Sequence, residues 1–281
     1  MTYKNLQESF LDRFYNILGE RENLATFWIA LFYVKGWSRL QFELNKNSHL
    51  SGNEEMLFAE ISTRLQAGEP IQYITGTTEF YKNTHFVNPS VLIPRPETEE
   101  LVDWIISDQQ FKPDLKCMDI GTGSGCIINS LALNLKGSFT GVDVSESALT
   151  VAKRNGDALE SNVVFKIVDI LKSVTRGEGF DVIVSNPPYI PFKDKVEMKR
   201  NVLDFEPDLA LFVPDEDPLL FYKSIIEFSK RNLSKDGVLY FEIHEGYEDR
   251  LKVMIQEKNS RFEFRKDMQG KTRMLKIWDL V

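Results

Sequence analysis

From Pro96 onward, short apolar runs alternate with stretches of helical period, and this alternation restricts the fold more than any other feature. Strands read at Cys117–Ile120, Phe139–Asp143, Val163–Val168, Asp181–Ser185 and Gly237–Ile243. Helices read at Cys126–Leu135, Glu146–Asn155, Leu219–Leu233 and Tyr247–Lys258. Another begins at Pro96, whose ring suits a first turn, with Glu97, Glu99 and Glu100 at the positive end of its dipole. Such alternation predicts an α/β fold with a mostly parallel sheet covered on both faces. Two last strands, Phe262–Arg265 and Arg273–Trp278, follow without a helix between them and predict one antiparallel strand, at the sheet edge.

The N-terminal part reads differently. Leu6, Phe10, Phe14 and Ile17 recur at helical spacing, as do Leu57, Ile61 and Leu65, before Gly68, Glu69 and Pro70 end the pattern. Phe27–Val34 reads as a buried helix, too short to span a bilayer. Residues 1–90 carry 8 basic and 10 acidic side chains, so this helical part has no obvious phosphate-binding face. The stretch Gln72–Ile93 changes character. Tyr73–Thr75 and Thr78–Tyr81 are β-prone, and Phe86-Val87 and Val91–Ile93 follow turn residues Asn83 and Asn88-Pro89. A β-hairpin linker is expected, dividing the chain into residues 1–70, 71–94 and 95–281.

Composition sets outer bounds. A chain of 281 residues that is 42% hydrophobic and 27% charged is neither fibrous nor disordered. A net charge of -8 argues against broad neutralisation of nucleic-acid phosphates, so no direct nucleic-acid partner is expected. Cys117 and Cys126 are too few for a disulfide framework or a zinc site and read as reduced, buried thiols; no metal is expected. Met1–Phe14 has no continuous apolar core. A cytoplasmic monomer without membrane contact is expected.

Within the alternating part, Met118-Asp119-Ile120-Gly121-Thr122-Gly123-Ser124-Gly125 runs from a strand into a helix. Glycines at alternate positions remove side chains where a ligand must approach the backbone. The position fits the first βα turn of a nucleotide-binding sheet, but the spacing is not G-x-G-x-x-G and the lysine of a P-loop is absent. The next strand ends at Asp143, 18 residues after Gly125, where a carboxylate can accept from both hydroxyls of a ribose. Asp169 ends the third strand and could accept from an adenine amino group. Together these features point to an adenosyl ligand.

The strand Asp181–Ser185 leads into Asn186-Pro187-Pro188-Tyr189. Two prolines fix φ and offer no N–H. The Asn186 side chain and the Pro187 carbonyl can then form a rigid pair of acceptors, with Tyr189 stacking on something planar. The pattern suits a planar -NH2 group conjugated to a π-system, either an amide or a nucleobase amine. Such a nitrogen is a poor nucleophile; two acceptors aim it and favour positive charge growing on it, each contributing about 1.5–3 kcal/mol. Alignment with a methyl donor adds an effective-concentration gain, and the proton can leave afterwards.

Gly121–Gly125, Asp143 and Asn186–Tyr189 resemble the amino-directed class I S-adenosylmethionine methyltransferases, a Rossmann-like fold. That class includes adenine DNA methyltransferases and protein glutamine methyltransferases. Pro70-Ile71-Gln72-Tyr73-Ile74-Thr75-Gly76 with Phe80, Val91-Leu92-Ile93-Pro94-Arg95-Pro96-Glu97-Thr98-Glu99, and Glu206-Pro207-Asp208-Leu209-Ala210-Leu211 are similar to segments of the HemK/PrmC family, which methylates peptide chain release factors. The resemblance covers roughly residues 65–281. It implies protein methylation in translation termination: the amide nitrogen of the glutamine in a Gly-Gly-Gln loop is methylated and S-adenosylhomocysteine leaves. It implies that Gly121, Thr122, Gly123, Ser124 and Gly125 line the methionine part of the cofactor and Asp143 holds the ribose. Asp169, Ile170 and Asn186 complete the cofactor site. Asn186 and Pro187 accept from the substrate amide, Pro188 and Tyr189 shape its pocket, and Arg95 lies near cofactor and substrate.

Residues 1–70 become a substrate-recognition domain on this reading, contacting the release factor outside its glutamine loop, because one short loop offers little discriminating surface. Residues 95–281 become the methyltransferase domain. The sequence departs from the family in two places. Ile170 follows Asp169 where an aromatic residue is common, and His244 stands where glycine is frequent. The alternative is an adenine amino-group methyltransferase on DNA or RNA, since the Asn-Pro-Pro-Tyr turn serves both. A flipped base and its strand favour a basic cleft, and the acidic balance weighs against it.

Overall fold

The computed structural model describes residues 1–198, 200–257 and 259–280. Two compact units emerge: residues 1–76 with 200–205, and residues 77–198 with 206–280.

The first unit is helical: α1 (Tyr3–Lys35), α2 (Arg39–Asn45), α3 (Gly52–Gln66) and α4 (Ile71–Thr75). Ser38 and Ser51 form capping boxes that start α2 and α3, each hydroxyl taking a backbone N–H while the third residue's side chain returns to the cap. Gly19, at φ +73, breaks the helical path of α1. The core holds Phe10, Phe14, Phe27, Leu31, Phe42, Phe58, Ile61 and Leu65. Four expectations need correction. Ile17, two residues before the break, is exposed rather than buried, and in α3 it is Phe58, not Leu57, that joins the core. Phe27–Val34 is amphipathic, with Phe32 and Tyr33 outside. Tyr73–Thr75 is helix rather than strand, because Pro70 sets the start, Gly76 (φ +71) ends it, and the turn between buries Ile71 and Ile74.

The second unit opens with a hairpin, β1 (Thr77–Phe80) and β2 (Asn83–Phe86). Its turn is Tyr81-Lys82, both at positive φ, rather than Asn83. Asn83 instead ties the turn by donating to the Tyr81 carbonyl at 3.0 Å. Val91–Ile93 is an irregular segment and not the expected strand. The elements that follow are α5 (Pro96–Gln109), β3 (Leu115–Ile120), α6 (Cys126–Asn134), β4 (Gly137–Asp143), α7 (Glu146–Ala158), β5 (Val163–Ile167) and β6 (Phe180–Ser185). Short elements come next: β7 (Ile190–Pro191), a 3₁₀ turn, α8 (Arg200–Phe205, in the first unit), α9 (Asp208–Leu211) and β8 (Phe212–Val213). Last are α10 (Leu220–Asn232), β9 (Leu233–Glu242), α11 (Glu248–Gln256), β10 (Arg261–Lys266) and β11 (Thr272–Trp278). Lys258, the end of the expected last helix, lies outside the described residues.

The sheet order is β10-β11-β9-β6-β3-β4-β5. Strands β9, β6, β3, β4 and β5 are mutually parallel, and β11 pairs antiparallel with both β9 and β10. The reversed strand therefore sits one in from the edge, not at it. Strand residues alternate between two cores, as period two requires. Ile183, Leu239 and Phe241 pack with Tyr222 and Ile226 of α10 and Leu251 of α11, whereas Val182, Val184 and Tyr240 pack with Leu101 and Ile105 of α5 and Ile128 and Leu131 of α6. Helices on both faces leave the carboxyl ends of the parallel strands open, which is where such sheets bind ligands.

Candidate functional site

A cavity of about 520 Å³ lies at that end of the sheet, entirely within the second unit. Its wall includes Arg95, Gly121, Thr122, Gly123, Ser124, Asp143, Asp169, Ile170, Asn186, Pro187 and Pro188. Two of the residues singled out from sequence stand beside the wall. Gly125 caps α6 against Asn129 and Ala152, and Tyr189 packs on the core.

The glycine loop has the left-handed backbone that its composition requires: Gly121, Gly123 and Gly125 have φ of +72, +53 and +75. A Cβ on Gly121 or Gly123 would meet no protein atom within 4 Å, so these two keep open space. The loop's N–H groups are largely spent inside the protein. Gly121 and Thr122 donate to the Val142 carbonyl at 2.9 Å, and Gly125 donates to the Thr122 carbonyl at 2.8 Å. Gly123 donates to Asp143 Oδ2 at 2.9 Å. A phosphate cradle needs such groups free and pointing outward, so this loop is shaped for a ligand that packs against it. The Asp143 carboxylate also accepts from Ser145 N–H at 2.9 Å. A carboxylate has about four acceptor positions, so capacity remains for hydroxyls of a bound group.

Asp169 accepts from Leu171 N–H at 3.0 Å and pairs with the exposed Lys172 at 2.9 Å, and that partner holds its carboxyl below the usual range. Arg95 pairs with neither neighbouring glutamate. Its guanidinium meets Glu206 Oε1 at 2.6 Å, and Glu206, itself buried, also accepts from Ile93 N–H.

Asn186 follows β6 directly. Its Nδ2 lies 3.5 Å from the Thr98 hydroxyl, which donates to Glu242 Oε2 at 2.6 Å. Among the described residues neither Asn186 Oδ1 nor the Pro187 carbonyl has a hydrogen-bond partner. His244 lies between Tyr189 and Tyr247, with ring centroids 5.7 and 5.1 Å away, and its Nδ1 accepts from Gly246 N–H. Burial lowers its pKa. These contacts make it a wedge behind the turn, and Tyr247 completes the support by donating to the Tyr189 carbonyl at 3.1 Å.

Sequence reasoning passed over two buried acids. Asp119 in β3 is fully buried; Oδ2 accepts from the Thr122 hydroxyl at 2.6 Å, Oδ1 has no hydrogen-bond partner among the described residues, and burial pushes its pKa up to about 7. Glu242 at the end of β9 is likewise pushed up to about 7 by burial. Each sits in an otherwise apolar strand, Cys117–Ile120 and Leu239–Ile243, and that mismatch was the available signal. Thr98 lies in the segment Val91–Glu99 that the sequence singled out, but nothing in its spacing marked its own role.

The sheet order, the glycine loop with its terminal acid and the acceptor-bearing turn together define a Rossmann-like methyltransferase, and a family model described as a methyltransferase domain matches residues 111–277. A second family model, the PrmC N-terminal domain, matches residues 10–76. Curated relatives extend the likeness over nearly the whole chain. The release factor glutamine methyltransferase of Flavobacterium psychrophilum is 40% identical over 99% of both chains. Its counterpart in Bacteroides thetaiotaomicron is 44% identical over 85% of this chain and 87% of its own, and that of Lactococcus lactis 40% over 86% and 91%. The chain belongs to the release factor glutamine methyltransferase family. A solved ribosomal protein L11 methylase from Lactobacillus delbrueckii overlays 71% of the chain and 88% of its own, with a TM-score of 0.48 and 20% identity.

Proposed function

We propose that this chain methylates the side-chain amide nitrogen of the glutamine in the Gly-Gly-Gln loop of a peptide chain release factor. The observation that carries the reading is the pair of uncommitted acceptors, Asn186 Oδ1 and the Pro187 carbonyl, on the wall that the glycine loop also lines. S-adenosylmethionine, when bound, supplies a methyl group on an electron-poor sulfonium. Gly121 and Gly123 leave room for it, Asp143 has acceptor capacity for its ribose, and Asp169 with Ile170 would flank the adenine. Asn186 and Pro187 accept the two amide N–H bonds and so hold the nitrogen lone pair toward the methyl group. Transfer would form a carbon–nitrogen bond as the carbon–sulfur bond breaks, with S-adenosylhomocysteine as the leaving group and the amide proton passing to solvent. No strong base is required, because the acceptors stabilise the cation while it forms. Pro188 and Tyr189 stiffen the turn.

The adenine alternative presents the same kind of nitrogen. The relatives' names favour a protein substrate, and so does a wall whose one arginine is already paired with Glu206. The helical unit, with Phe32, Leu40, Leu44 and Met56 exposed, offers apolar area suited to holding a folded protein. A monomer in the cytoplasm fits this role. The test is transfer of labelled methyl to a purified release factor and to a DNA oligonucleotide. Label is expected on the loop glutamine alone and to fall at least 100-fold in Asn186→Ala. Label in DNA alone overturns the proposal.

A further inference from the structure

The chemistry above needs Asn186 to turn its oxygen, not its nitrogen, toward the substrate. An amide can adopt either orientation with little steric difference, so something must choose. The strand register brings the candidates together. Ser185 of β6 pairs with Phe241 of β9, so Asn186, just past the end of β6, and Glu242 of β9 are the next residues along two parallel strands. The first turn of α5 adds Thr98, whose N–H is already bonded to the Arg95 carbonyl. Thr98 and Glu242 are both buried.

A threonine hydroxyl has one hydrogen. An ionised Glu242 only accepts, so the Thr98 hydrogen goes to its Oε2 at 2.6 Å and toward Asn186 the hydroxyl can only accept. The amide must then offer Nδ2 to it, as the 3.5 Å contact has it, which leaves Oδ1 for the cavity. We propose that Glu242 and Thr98 are positioning residues that fix the orientation of the Asn186 amide through a one-way chain of hydrogen bonds. Neither touches the reacting atoms. The inference rests on the methyltransferase reading given above and adds two residues to it.

Removing the hydroxyl removes the acceptor 3.5 Å from Nδ2 and the link to Glu242, the other side chain that faces the Asn186 amide. In Thr98→Val, a near-isostere, Asn186 is held less firmly and samples the orientation in which a nitrogen faces the substrate's N–H bonds. Misplaced groups of this kind cost roughly 10- to 100-fold in turnover. The experiment measures kcat and KM on a whole release factor, calorimetric affinity for S-adenosylhomocysteine, and melting temperature, for wild type, Thr98→Val, Thr98→Ala and Thr98→Ser. The expected result is a kcat about 10- to 100-fold lower in the valine and alanine variants, with KM and product affinity within about threefold of wild type, and with serine restoring most of kcat. The alanine variant is read in the same way if valine prevents folding. A kcat within twofold of wild type in the valine or alanine variant overturns the role, as does a serine variant no better than valine. Failure of the wild type itself to modify the release factor overturns the underlying function, and this role with it.

Discussion

Replacing Asp119 by asparagine isolates the cost of a charge with no exit to water. In the folded protein the Asp119 carboxyl has its pKa pushed up to about 7 by burial, against an ordinary value of 3.8. Below 3.8 both folded and unfolded chains hold the proton. Between 3.8 and 7 the unfolded chain loses it while the folded chain keeps it, so stability falls as pH rises, and the loss is complete above 7. Three units correspond to about 4 kcal/mol in all, of which about 2–3 kcal/mol falls between pH 5 and 8. The side chain introduced by Asp119→Asn would keep an acceptor for the Thr122 hydroxyl and carry no charge. Its amide nitrogen would replace an oxygen that has no hydrogen-bond partner among the described residues, a penalty of about 1–3 kcal/mol that does not change with pH. Glu242 titrates in the same direction in both proteins and cancels from the comparison. Urea denaturation at pH 5, 6, 7 and 8 is the assay. Wild type is expected to lose about 2–3 kcal/mol more than Asp119→Asn across that range. Parallel curves for the two proteins would refute the reasoning.

Asp143→Ala should weaken S-adenosylhomocysteine binding at least 10-fold by calorimetry, because it removes the ribose acceptor and frees the Gly123 and Ser145 N–H groups it now holds; an unchanged affinity would remove Asp143 from the site. Gly125→Ala should lower the melting temperature by several degrees, since alanine at φ +75 is strained and its Cβ would lie 2.8 Å from Asn129 Nδ2. An unchanged melting temperature would mean that the α6 cap relaxes at no cost.

Much of this was legible because it is written as period and punctuation. The βα alternation, the glycine loop, Asp143 and the Asn-Pro-Pro-Tyr turn all lie in short contiguous segments. Where local rules failed, longer-range packing had decided. Tyr73–Thr75 is β-prone by residue type, yet burial of Ile71 and Ile74 in the helical core makes it a turn of helix. Arg95 had two glutamates within four residues, but its partner is Glu206, 111 positions away. Thr98 and Glu242 are 144 positions apart and meet only because α5 and β9 converge on the end of β6. A hydrogen-bond relay of that kind leaves no spacing to read.

The two buried acids obey one rule that their positions in sequence do not announce. Asp119 takes the hydrogen of Thr122 at 2.6 Å, and Glu242 takes that of Thr98 at 2.6 Å; both threonines are on the cavity wall. Each hydroxyl thereby has its hydrogen drawn into the protein and only lone pairs left for anything else. The glycine loop behaves alike, spending its N–H groups on Val142, Thr122 and Asp143. Arg95, the basic residue on that wall, is matched by Glu206. Asp143, Asp169, Asn186 and Pro187 add acceptors on the surface. Among these groups, donors are spent inside the protein and acceptors face the cavity, the opposite of a phosphate cradle. These acceptors suit the hydroxyl, ammonium and amide hydrogens of the ligand pair and the positive charge it carries as it reacts. If the acids serve this polarity, Thr98→Val should cost turnover even though no acceptor on the substrate's own nitrogen has been removed.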